Sequence, residues 1–320
     1  MTAHDAPLGG RVAIVTGSGR GLGLAYAAEL ARQGASVIVN DVDAQTAAAA
    51  VAAIEAQGGA AVAVVAGVGS AETARQLVAT AVESFGRLDI LVTNAGVLRD
   101  TVLWKMTDDD FDTVIGVHLR GTFTTVREAV IQMRAQGDGG RIICIGSPTG
   151  QRGNFGQTNY GAAKAGIVGM VRTWALELKR AGITANAVIP VAATAMTATV
   201  PYFAAAVEAD AAGEPMPEFF RHDLGFGTSD DVAGLVSYLA SDAAAGITGQ
   251  AIGIGGDRIQ LWSHPEPVVT AYREGGWSYD ALLESFDDDI APSLQSVGES
   301  FPPLPDNLRS PKTSGAPRAE

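Results

Sequence analysis

A tyrosine and a lysine stand four residues apart in the stretch NFGQTNYGAAKAGI, residues 154–167. On a helix, residues at this spacing lie on one face, so Tyr160 and Lys164 point into the same volume. A nearby ammonium stabilises a phenolate and can lower the pKa of a tyrosine from about 10 by up to about three units. The pair therefore predicts a general acid or base that works near neutral pH. The alternative is an ordinary helix surface whose lysine extends into solvent.

Short β-branched runs alternate with alanine-rich stretches of helical length over most of the chain. The runs are RVAIVTG, SVIVND, AVAVVAG, LDILVTNAG, RIICIGS, ITANAVIP and QAIGIGG. Apolar strands separated by helices are typical of a parallel sheet that is covered on both faces. The pattern predicts an α/β fold, a doubly wound, seven-stranded parallel sheet of the Rossmann type with a C-terminal extension.

Two regions interrupt this alternation. Residues 191–227 contain three prolines and several aromatic residues, and they are too many for an ordinary connection, so we expect a lid over a ligand site. Residues 259–320 are aromatic and acidic and then rich in proline, which predicts an extension that is helical at first and loosely ordered at the end. Residues 1–258, which include this lid, form the predicted dinucleotide-binding catalytic domain.

A glycine-rich turn, TGSGRGLG at residues 16–23, lies between the first strand and the first helix. Glycines at such a turn let the backbone approach a pyrophosphate, which the amides at the start of the helix then bind. The spacing is T-G-x-x-x-G-x-G, because Leu22 occupies the third glycine position of the G-x-G-x-x-G pattern. The predicted cofactor-binding residues of this turn are Gly17, Ser18, Arg20, Gly21, Leu22 and Gly23.

The second strand ends in Asp41, about 24 residues after Gly17. A carboxylate at this place can bind both hydroxyls of an adenosine ribose and repels a 2′-phosphate, so it favours NAD over NADP. Arg20 acts in the opposite direction, because a cation in the turn can assist a 2′-phosphate. We give the carboxylate more weight and predict NAD as the cofactor. Alternatively, Asp41 is only the N-cap of the next helix.

Composition excludes several classes of function. The net charge of −13 argues against binding to nucleic acid or to anionic lipid. The single cysteine, Cys144, cannot form an internal disulfide, and the four histidines have no metal-ligand spacing, so we expect no metal. No apolar run reaches the length of a membrane span, and the first ten residues lack the features of a signal peptide. We expect a cytoplasmic protein.

Over roughly its first 258 residues the sequence resembles the short-chain dehydrogenase/reductase family. The resemblance rests on TGSGRGLG, on NAG at residues 94–96, on Ser147 thirteen residues before Tyr160, on YGAAK and on ITGQAIGIGG. Within the family, VIVND, LRD, VHLRGTF and GNFGQTNYGAAK are most similar to (3R)-hydroxyacyl-CoA dehydrogenase units.

The resemblance implies a role for each matching residue. Ser147 would donate a hydrogen bond to the substrate oxygen, and Tyr160 would exchange a proton with it. Lys164 would lower the pKa of Tyr160, and Tyr160 and Lys164 would also contact the nicotinamide ribose. Asn94, Ala95 and Gly96 would line the cofactor side of the sheet edge, although NAG alone could equally be a turn that ends a strand.

Three positions depart from the family pattern. His118 stands where many members have an asparagine that supports a water behind the lysine; a relay role competes with that of a satisfied core histidine. Gly67 stands where an aspartate usually holds the adenine. Pro190 and Val191 replace a proline-glycine turn, so either Thr194 or Thr197 could bind the cofactor carboxamide. We predict Pro190 and Thr194 as the cofactor-binding residues here.

These residues lead to one main hypothesis and two alternatives. The main hypothesis is an NAD-dependent alcohol dehydrogenase for a bulky apolar (3R)-hydroxyacyl-CoA or hydroxysteroid. The alternatives are a carbonyl reductase for smaller ketones and a nucleotide-binding protein without turnover. We expect a homodimer or homotetramer, as in the family. Met196, Tyr202, Phe203 and Phe219 are expected to line the substrate site, and the cations expected at its mouth are Arg99, Lys105, Arg152 and Arg221.

Overall fold

The computed structural model describes residues 6–194, 197 and 200–309. Met196 and residues 310–320 lie outside the described residues, and so does the expectation of a loosely ordered tail over those last positions. No helix in the described part of the chain is long and apolar enough to cross a membrane.

One sheet of eight strands organises the molecule, in the order β3-β2-β1-β4-β5-β6-β7-β8. Neighbouring strands from β3 to β7 are parallel, and β8 is antiparallel to β7. The strands are β1 (Val12–Thr16), β2 (Ser36–Asp41), β3 (Ala60–Val65), β4 (Ile90–Thr93), β5 (Gly140–Ile145), β6 (Ile183–Pro190), β7 (Ala251–Gly255) and β8 (Arg258–Trp262).

The predicted α/β sheet is therefore present, but the predicted number of seven strands is wrong. Sequence analysis ended the sheet at QAIGIGG and placed the domain boundary at residue 258, which is the first residue of β8. Gly256 has φ of 51° and lies in the tight turn that returns the chain alongside β7. Such a turn allows an antiparallel neighbour without a crossover helix. Strand–helix alternation predicts only strands that are separated by helices, and β8 has no helix before it.

Helices cover both faces of the sheet. The α-helices are α1 (Gly21–Arg32), α2 (Ala44–Ala56), α3 (Ala71–Phe85), α4 (Asp108–Ile115), α5 (Gly121–Gln136), α6 (Thr149–Arg152), α7 (Thr158–Glu177), α8 (Ala204–Ala212), α9 (Ser229–Ala240) and α10 (Tyr279–Asp289). A π-helical turn (Gly116–Arg120) joins α4 to α5.

Two apolar clusters, one on each face, bury the sheet. Alternate residues of β1 divide between them: Ala13 and Val15 belong to one cluster, and Val12 and Ile14 to the other. This division follows from the period of two along a strand, and it explains why nearly every residue of the strand is apolar. The sheet is therefore held from both sides, which fixes the positions of the strand ends.

A third apolar cluster lies outside the sheet, in residues 191–227. Its buried members include Phe203, Phe220 and Phe226. The two ends of this segment are joined, because Ala192 and Gly227 form a β-bridge and the Ala193 amide donates to the Gly227 carbonyl at 2.7 Å. The segment therefore leaves the sheet after β6 and returns to the same place before α9.

Candidate active site

A cavity of about 720 Å³ opens at the carboxyl ends of the parallel strands. It lies where β1 stands between β2 and β4, so that the chain reverses its direction across the sheet. Doubly wound sheets bind ligands at such a point. The residues predicted to be catalytic or to bind the cofactor line this cavity from many separate elements, with the exception of Ser18, which packs behind the glycine-rich turn.

Gly17, Gly19 and Gly23 of the glycine-rich turn pack closely on neighbouring residues, so no side chain could be added at these three positions without a clash. A Cβ on Gly17 would lie 2.7 Å from Cα of Ala95, and a Cβ on Gly19 would lie 2.7 Å from Oδ2 of Asp41. Gly17 has φ of 62° and Gly21 has φ of 55°, conformations that favour glycine. Gly23 likewise has no room for a side chain against the Gly17 carbonyl. The turn fits the pyrophosphate of a nicotinamide dinucleotide.

Polar contacts fix the glycine-rich turn from below. Asn94 donates through Nδ2 to the carbonyl oxygens of Thr16 (3.0 Å) and Gly17 (2.9 Å). The Thr16 hydroxyl accepts from the amides of Asn94 (3.0 Å) and Ala95 (3.1 Å). Ser18 is fully buried and donates to the Val15 carbonyl at 2.7 Å. Asn94 and Ser18 thus hold the turn, and Thr16 is a support that sequence analysis did not identify.

Asp41 faces the turn and is not a helix cap. Its Oδ2 accepts from the Gly19 amide at 3.1 Å, and its Oδ1 accepts from the Asp43 amide at 3.2 Å. The N-cap of α2 is Asp43, whose side chain accepts from the Thr46 amide at 2.7 Å. The capping alternative for Asp41 is therefore wrong. Arg20 also borders the cavity and has an exposed side chain.

The adenine end of the cavity contains no aspartate at residue 67. Gly67 and Val68 line it there, next to Ala66. Asn40 donates to the Val64 carbonyl at 3.0 Å and to the Ala66 carbonyl at 2.8 Å, so it holds the end of β3. An adenine at this place would contact backbone and small apolar groups.

Ser147, Tyr160 and Lys164 share one wall of the cavity. Ser147 follows β5, while the other two residues lie on α7. Lys164 is buried; its Nζ donates to the Ile145 carbonyl at 2.6 Å and lies 5.6 Å from the centre of the Tyr160 ring. The Ser147 Oγ accepts from the Thr149 amide at 3.2 Å. The structure thus brings Ser147, which the family resemblance implied, next to Tyr160 and Lys164, the pair that the helical spacing predicted.

The electrostatics of this wall differ from the sequence expectation. Burial raises the pKa of Tyr160, the hydrogen bond with Ser147 lowers it, and the charge of Asp100 raises it. Burial also lowers the pKa of Lys164, to about 8. The expected lowering of the Tyr160 pKa by Lys164 is not observed, because burial of the phenol dominates and the ammonium is directed at a carbonyl. At neutral pH Tyr160 is protonated, the form that donates a proton to a carbonyl oxygen.

His118 is a buried residue of the π-helical turn. Its Nε2 lies 2.9 Å from the carbonyl oxygen and 3.0 Å from the amide nitrogen of Val97. Its ring meets that of Tyr160 edge to face at 5.2 Å and packs closely on Gly96. Burial, followed by the charge of Lys164, lowers the pKa of His118 to about 3. The neutral ring holds the Val97 backbone through Nε2, but its buried Nδ1 has no hydrogen-bond partner among the described residues, so the structural alternative of a satisfied core histidine is met only in part. The relay role stays a prediction.

We predict that His118→Asn weakens the acid sensitivity of the fold. Unfolded histidine titrates near about 6.5, whereas folded His118 stays neutral until about 3. Between these values the unfolded chain binds a proton that the folded chain does not, so stability falls as the pH falls. At about pH 5 this amounts to roughly 2 kcal/mol of unfolding free energy. Urea unfolding at about pH 7.5 and pH 5 measures the difference.

The matched control is His222→Asn, because the His222 side chain is 72% exposed. We expect this variant to keep the pH dependence of the wild type. Equal pH dependence in His118→Asn and in the wild type would show that His118 is not buried in its neutral form.

A polar network next to Ser147 was not identified from the sequence. The Thr149 hydroxyl donates to Oε1 of Gln157 at 3.1 Å, and Asn154 donates to the same oxygen at 3.0 Å. Gln157 in turn donates through Nε2 to Asp100 at 2.7 Å. All four residues line the cavity. Four polar residues on separate segments leave no spacing signal, so only the fold reveals them.

At the other end of the site, Pro190 lines the cavity together with Thr194 and Thr197. The Thr194 amide donates to the Thr197 hydroxyl at 2.8 Å, and that hydroxyl donates to the Ala192 carbonyl at 3.1 Å. Both threonines thus border the same space, and the prediction that Thr194 binds the carboxamide stays a prediction.

The predicted substrate-lining residues agree with the structure only in part. Among the described residues, the cavity lining includes Phe203 but neither Tyr202 nor Phe219. It also includes Phe226 and Phe301, which sequence analysis did not propose.

Two of the four cations predicted near the mouth, Arg221 and Arg152, have other partners. Arg221 forms ion pairs with Asp231 (2.8 Å) and Asp257 (2.7 Å), which tie residues 191–227 to α9 and to the β7–β8 turn. Arg152 donates to the Gly298 carbonyl at 2.8 Å. The cavity lining does not include Arg221, whose guanidinium is paired with both aspartates, so the prediction of this cation at the mouth is wrong.

Cys144 is buried in β5, and burial raises the pKa of its thiol to about 12. Within the described residues, no group of three or more His, Cys, Asp or Glu side chains could hold a metal ion.

Comparison with known proteins agrees with this geometry. A 3-oxoacyl-[acyl-carrier-protein] reductase of Synechocystis sp. is 42% identical over 264 residues, which cover 82% of this chain and 100% of the relative. The hydroxyacyl-CoA dehydrogenase ChsB1 of Mycobacterium tuberculosis is 41% identical over 291 residues, 87% of each chain. The peroxisomal multifunctional enzyme type 2 of Mus musculus is 44% identical over 200 residues, 60% of this chain and 27% of the mouse protein.

The sequence motifs indicated a resemblance to hydroxyacyl-CoA dehydrogenase units. The similarity to ChsB1 and to the mouse multifunctional enzyme confirms this resemblance. A family model described as short chain dehydrogenase matches residues 11–202, which contain the glycine-rich turn, Ser147, Tyr160 and Lys164. With a family model that spans most of the fold and a site built from the family's residues, the chain belongs to the short-chain dehydrogenase family.

Proposed function

We propose that the protein is an NAD-dependent oxidoreductase that interconverts a secondary alcohol and a ketone on a bulky apolar substrate, a (3R)-hydroxyacyl-CoA or a hydroxysteroid. The observation that carries the proposal is the single cavity that joins the glycine-rich turn and Asp41 to Ser147, Tyr160 and Lys164. Membership of an oxidoreductase family supports the reaction type.

In this proposal each residue of the catalytic wall has one task. The chemistry that the nicotinamide supplies when bound is hydride transfer. The Ser147 hydroxyl donates a hydrogen bond to the substrate oxygen. The Tyr160 phenol gives its proton to that oxygen in ketone reduction and accepts it in alcohol oxidation. Lys164 places a buried positive charge beside the phenol and stabilises the phenolate once the proton has left.

The cofactor preference is proposed from Asp41. Its carboxylate is held over the glycine-rich turn by the Gly19 amide, where the hydroxyls of an adenosine ribose would bind and a 2′-phosphate would be repelled. We expect NAD to give a higher kcat/KM than NADP, and we expect Asp41→Ser to narrow the difference. Steady-state kinetics with both cofactors measure the preference. A higher kcat/KM with NADP in the wild type would mean that Arg20 dominates.

The substrate class rests on the apolar side of the cavity and on the relatives. Phe203, Leu224 and Phe226 line this side, which suits an acyl chain or a steroid better than a small ketone. Two relatives are named for acyl thioester chemistry, a 3-oxoacyl-[acyl-carrier-protein] reductase and a hydroxyacyl-CoA dehydrogenase. The alternatives are a carbonyl reductase for smaller ketones and a nucleotide-binding protein without turnover.

The test of the proposal is a screen for cofactor-coupled turnover with 3-oxoacyl thioesters, hydroxysteroids and small secondary alcohols. We expect kcat/KM to be greatest for a thioester or a steroid. A preference for small alcohols such as 2-butanol would favour the carbonyl reductase. No turnover across all three panels would favour the non-catalytic alternative.

We also propose that the protein forms a homodimer or homotetramer in the cytoplasm. Exposed apolar side chains on α5, including Phe123 and Ile131, are available for an isologous contact between copies. Neither nucleic acid nor a membrane is proposed as a partner, because the net charge is −13.

A further inference from the structure

The C-terminal extension returns to the active site. Glu299 and Phe301 line the same cavity as Tyr160, although they are about 140 residues away along the chain. We call residues 298–308 the clasp. Sequence analysis treated the extension as separate from the site, because nothing in its spacing indicates where it packs.

The clasp is attached to the catalytic side of the cavity through Arg152. The Gly298 amide donates to the Arg152 carbonyl at 2.7 Å, and the Arg152 Nε donates back to the Gly298 carbonyl at 2.8 Å. Arg152 is the last residue of α6, which begins two residues after Ser147. This reciprocal pair sets the point where the clasp enters the cavity.

The clasp is attached to residues 191–227 by aromatic contacts. Phe301 stacks on Tyr202 with ring centres 5.0 Å apart and meets Phe203 edge to face at 5.5 Å. The Tyr202 hydroxyl donates to the Pro302 carbonyl at 2.6 Å. Leu304 and Leu308 pack against the same apolar cluster. The clasp therefore spans from α6 to residues 191–227 and places Phe301 among the apolar lining residues.

Glu299 introduces a charge into this lining. Glu299 is an exposed residue that borders the cavity, yet partial burial raises the pKa of its carboxyl, against the opposing charges of Arg152 and Arg258. Among the described residues, neither arginine lies within ion-pair distance of Glu299. Arg258 instead donates to the Leu224 carbonyl. Glu299 and Arg258 line the same cavity, and the backbone of Gly298 holds Arg152 beside Glu299, so the carboxylate partly offsets both positive charges without a direct ion pair.

We propose that the clasp is a specificity-determining wall of the substrate site, in which Phe301 selects a long apolar chain and Glu299 reduces the attraction of the two arginines for a polyanionic carrier. The inference rests on the proposed function, since it concerns the substrate of that same site. With this clasp, the enzyme would prefer substrates with a bulky apolar group and would discriminate only weakly between charged and neutral carriers of that group.

The first experiment separates the charge of the carrier from the acyl chain. Each variant is assayed with the 3-oxoacyl-CoA and with the neutral N-acetylcysteamine thioester of the same acyl chain, at mildly alkaline pH. We expect Glu299→Gln to raise kcat/KM for the CoA thioester by about three- to tenfold, the size of one unpaired charge at several ångström. We expect kcat/KM for the neutral thioester to change less than about twofold, because it lacks the charge on which Glu299 acts. Glu266→Gln, an exposed change in the extension, is the control and should alter neither value.

The second experiment tests Phe301 with a long and a short neutral thioester. We expect Phe301→Ala to raise KM for the long chain about tenfold and to leave the short chain unchanged, because only the long chain reaches the lost ring. Val297→Ala, a change of an exposed residue just before the clasp, is the control. Should Phe301→Ala not fold, Tyr202→Phe removes only the hydroxyl bonded to Pro302, and the same long-chain effect is expected at smaller size.

Equal effects of Glu299→Gln on both carriers, or equal effects of Phe301→Ala on both chain lengths, would overturn the proposal. If the wild type turns over no thioester, the acyl-thioester form of the proposed function fails, and calorimetric dissociation constants for the same ligands then decide the inference. A shift in the CoA-to-neutral binding ratio in Glu299→Gln would support the clasp as a selecting wall. An unchanged ratio, or no binding by any variant, would overturn it.

Discussion

Tyr160→Phe is expected to lower kcat/KM by about 10²–10⁴-fold, the usual contribution of a positioned acid or base. The substitution removes the proton carrier and leaves the ring, which packs edge to face on His118 at 5.2 Å. The melting temperature should therefore stay close to that of the wild type. Steady-state kinetics and circular dichroism on the same preparations measure both quantities.

The matched control is Tyr272→Phe, since the Tyr272 side chain is 92% exposed and lies in the extension. This variant should keep the activity of the wild type. If Tyr160→Phe retained more than about a tenth of the wild-type rate, the proton-transfer role of Tyr160 would be refuted.

Lys164→Met is expected to lower kcat for alcohol oxidation by about 10²–10³-fold, as for other losses of a preorganised charge. The variant removes the ammonium that lies 5.6 Å from the Tyr160 ring and keeps most of the apolar stem. Because burial already disfavours the charged form of Lys164, the melting temperature should not fall greatly. The loss of rate would then reflect chemistry and not unfolding.

The pH profile provides a second measurement for the same variant. Oxidation needs the phenolate, so the rate should increase as the pH approaches the raised pKa of Tyr160. Lys164 is charged only below about pH 8, because burial lowers its pKa to about 8, and in that range its removal makes the phenolate less stable. The rate of Lys164→Met relative to the wild type should therefore be lowest below about pH 8 and should rise above that pH. A ratio of the two rates that does not change with pH would indicate that Lys164 acts only on cofactor binding.

Most of the sheet could be predicted from the sequence because its signals are local. Each parallel strand is an apolar run of about five residues, and each strand from β1 to β6 is followed by a helix before the next strand begins. The eighth strand could not be found in this way, because it follows β7 through a tight turn at Gly256. Its pattern, RIQLW, alternates partly buried and exposed residues, as an edge strand does.

Some features of the candidate site could likewise be predicted from local spacing, and others could not. Tyr160 and Lys164 lie on one helix, so their spacing alone predicts that they share a volume. The direction in which the pKa of Tyr160 shifts depends on how fully residues from distant parts of the chain bury the phenol. Residue spacing does not indicate this burial. The same reason explains why Asp100, Gln157 and the clasp were missed. Charge and burial at this site are properties of the assembled fold.

The joined ends of residues 191–227 have a consequence for how such a protein can change over evolution. The Ala192–Gly227 bridge closes this excursion at its base, so the sheet and α7 are built without it. For an excursion closed in this way, doubling its length costs only about 0.6 kcal/mol of closure entropy. Insertions, deletions and exchanges of aromatic residues there can therefore accumulate while Ser147, Tyr160 and Lys164 keep their positions. New substrates become accessible to such a lineage through a segment whose variation leaves the proton-transfer groups intact.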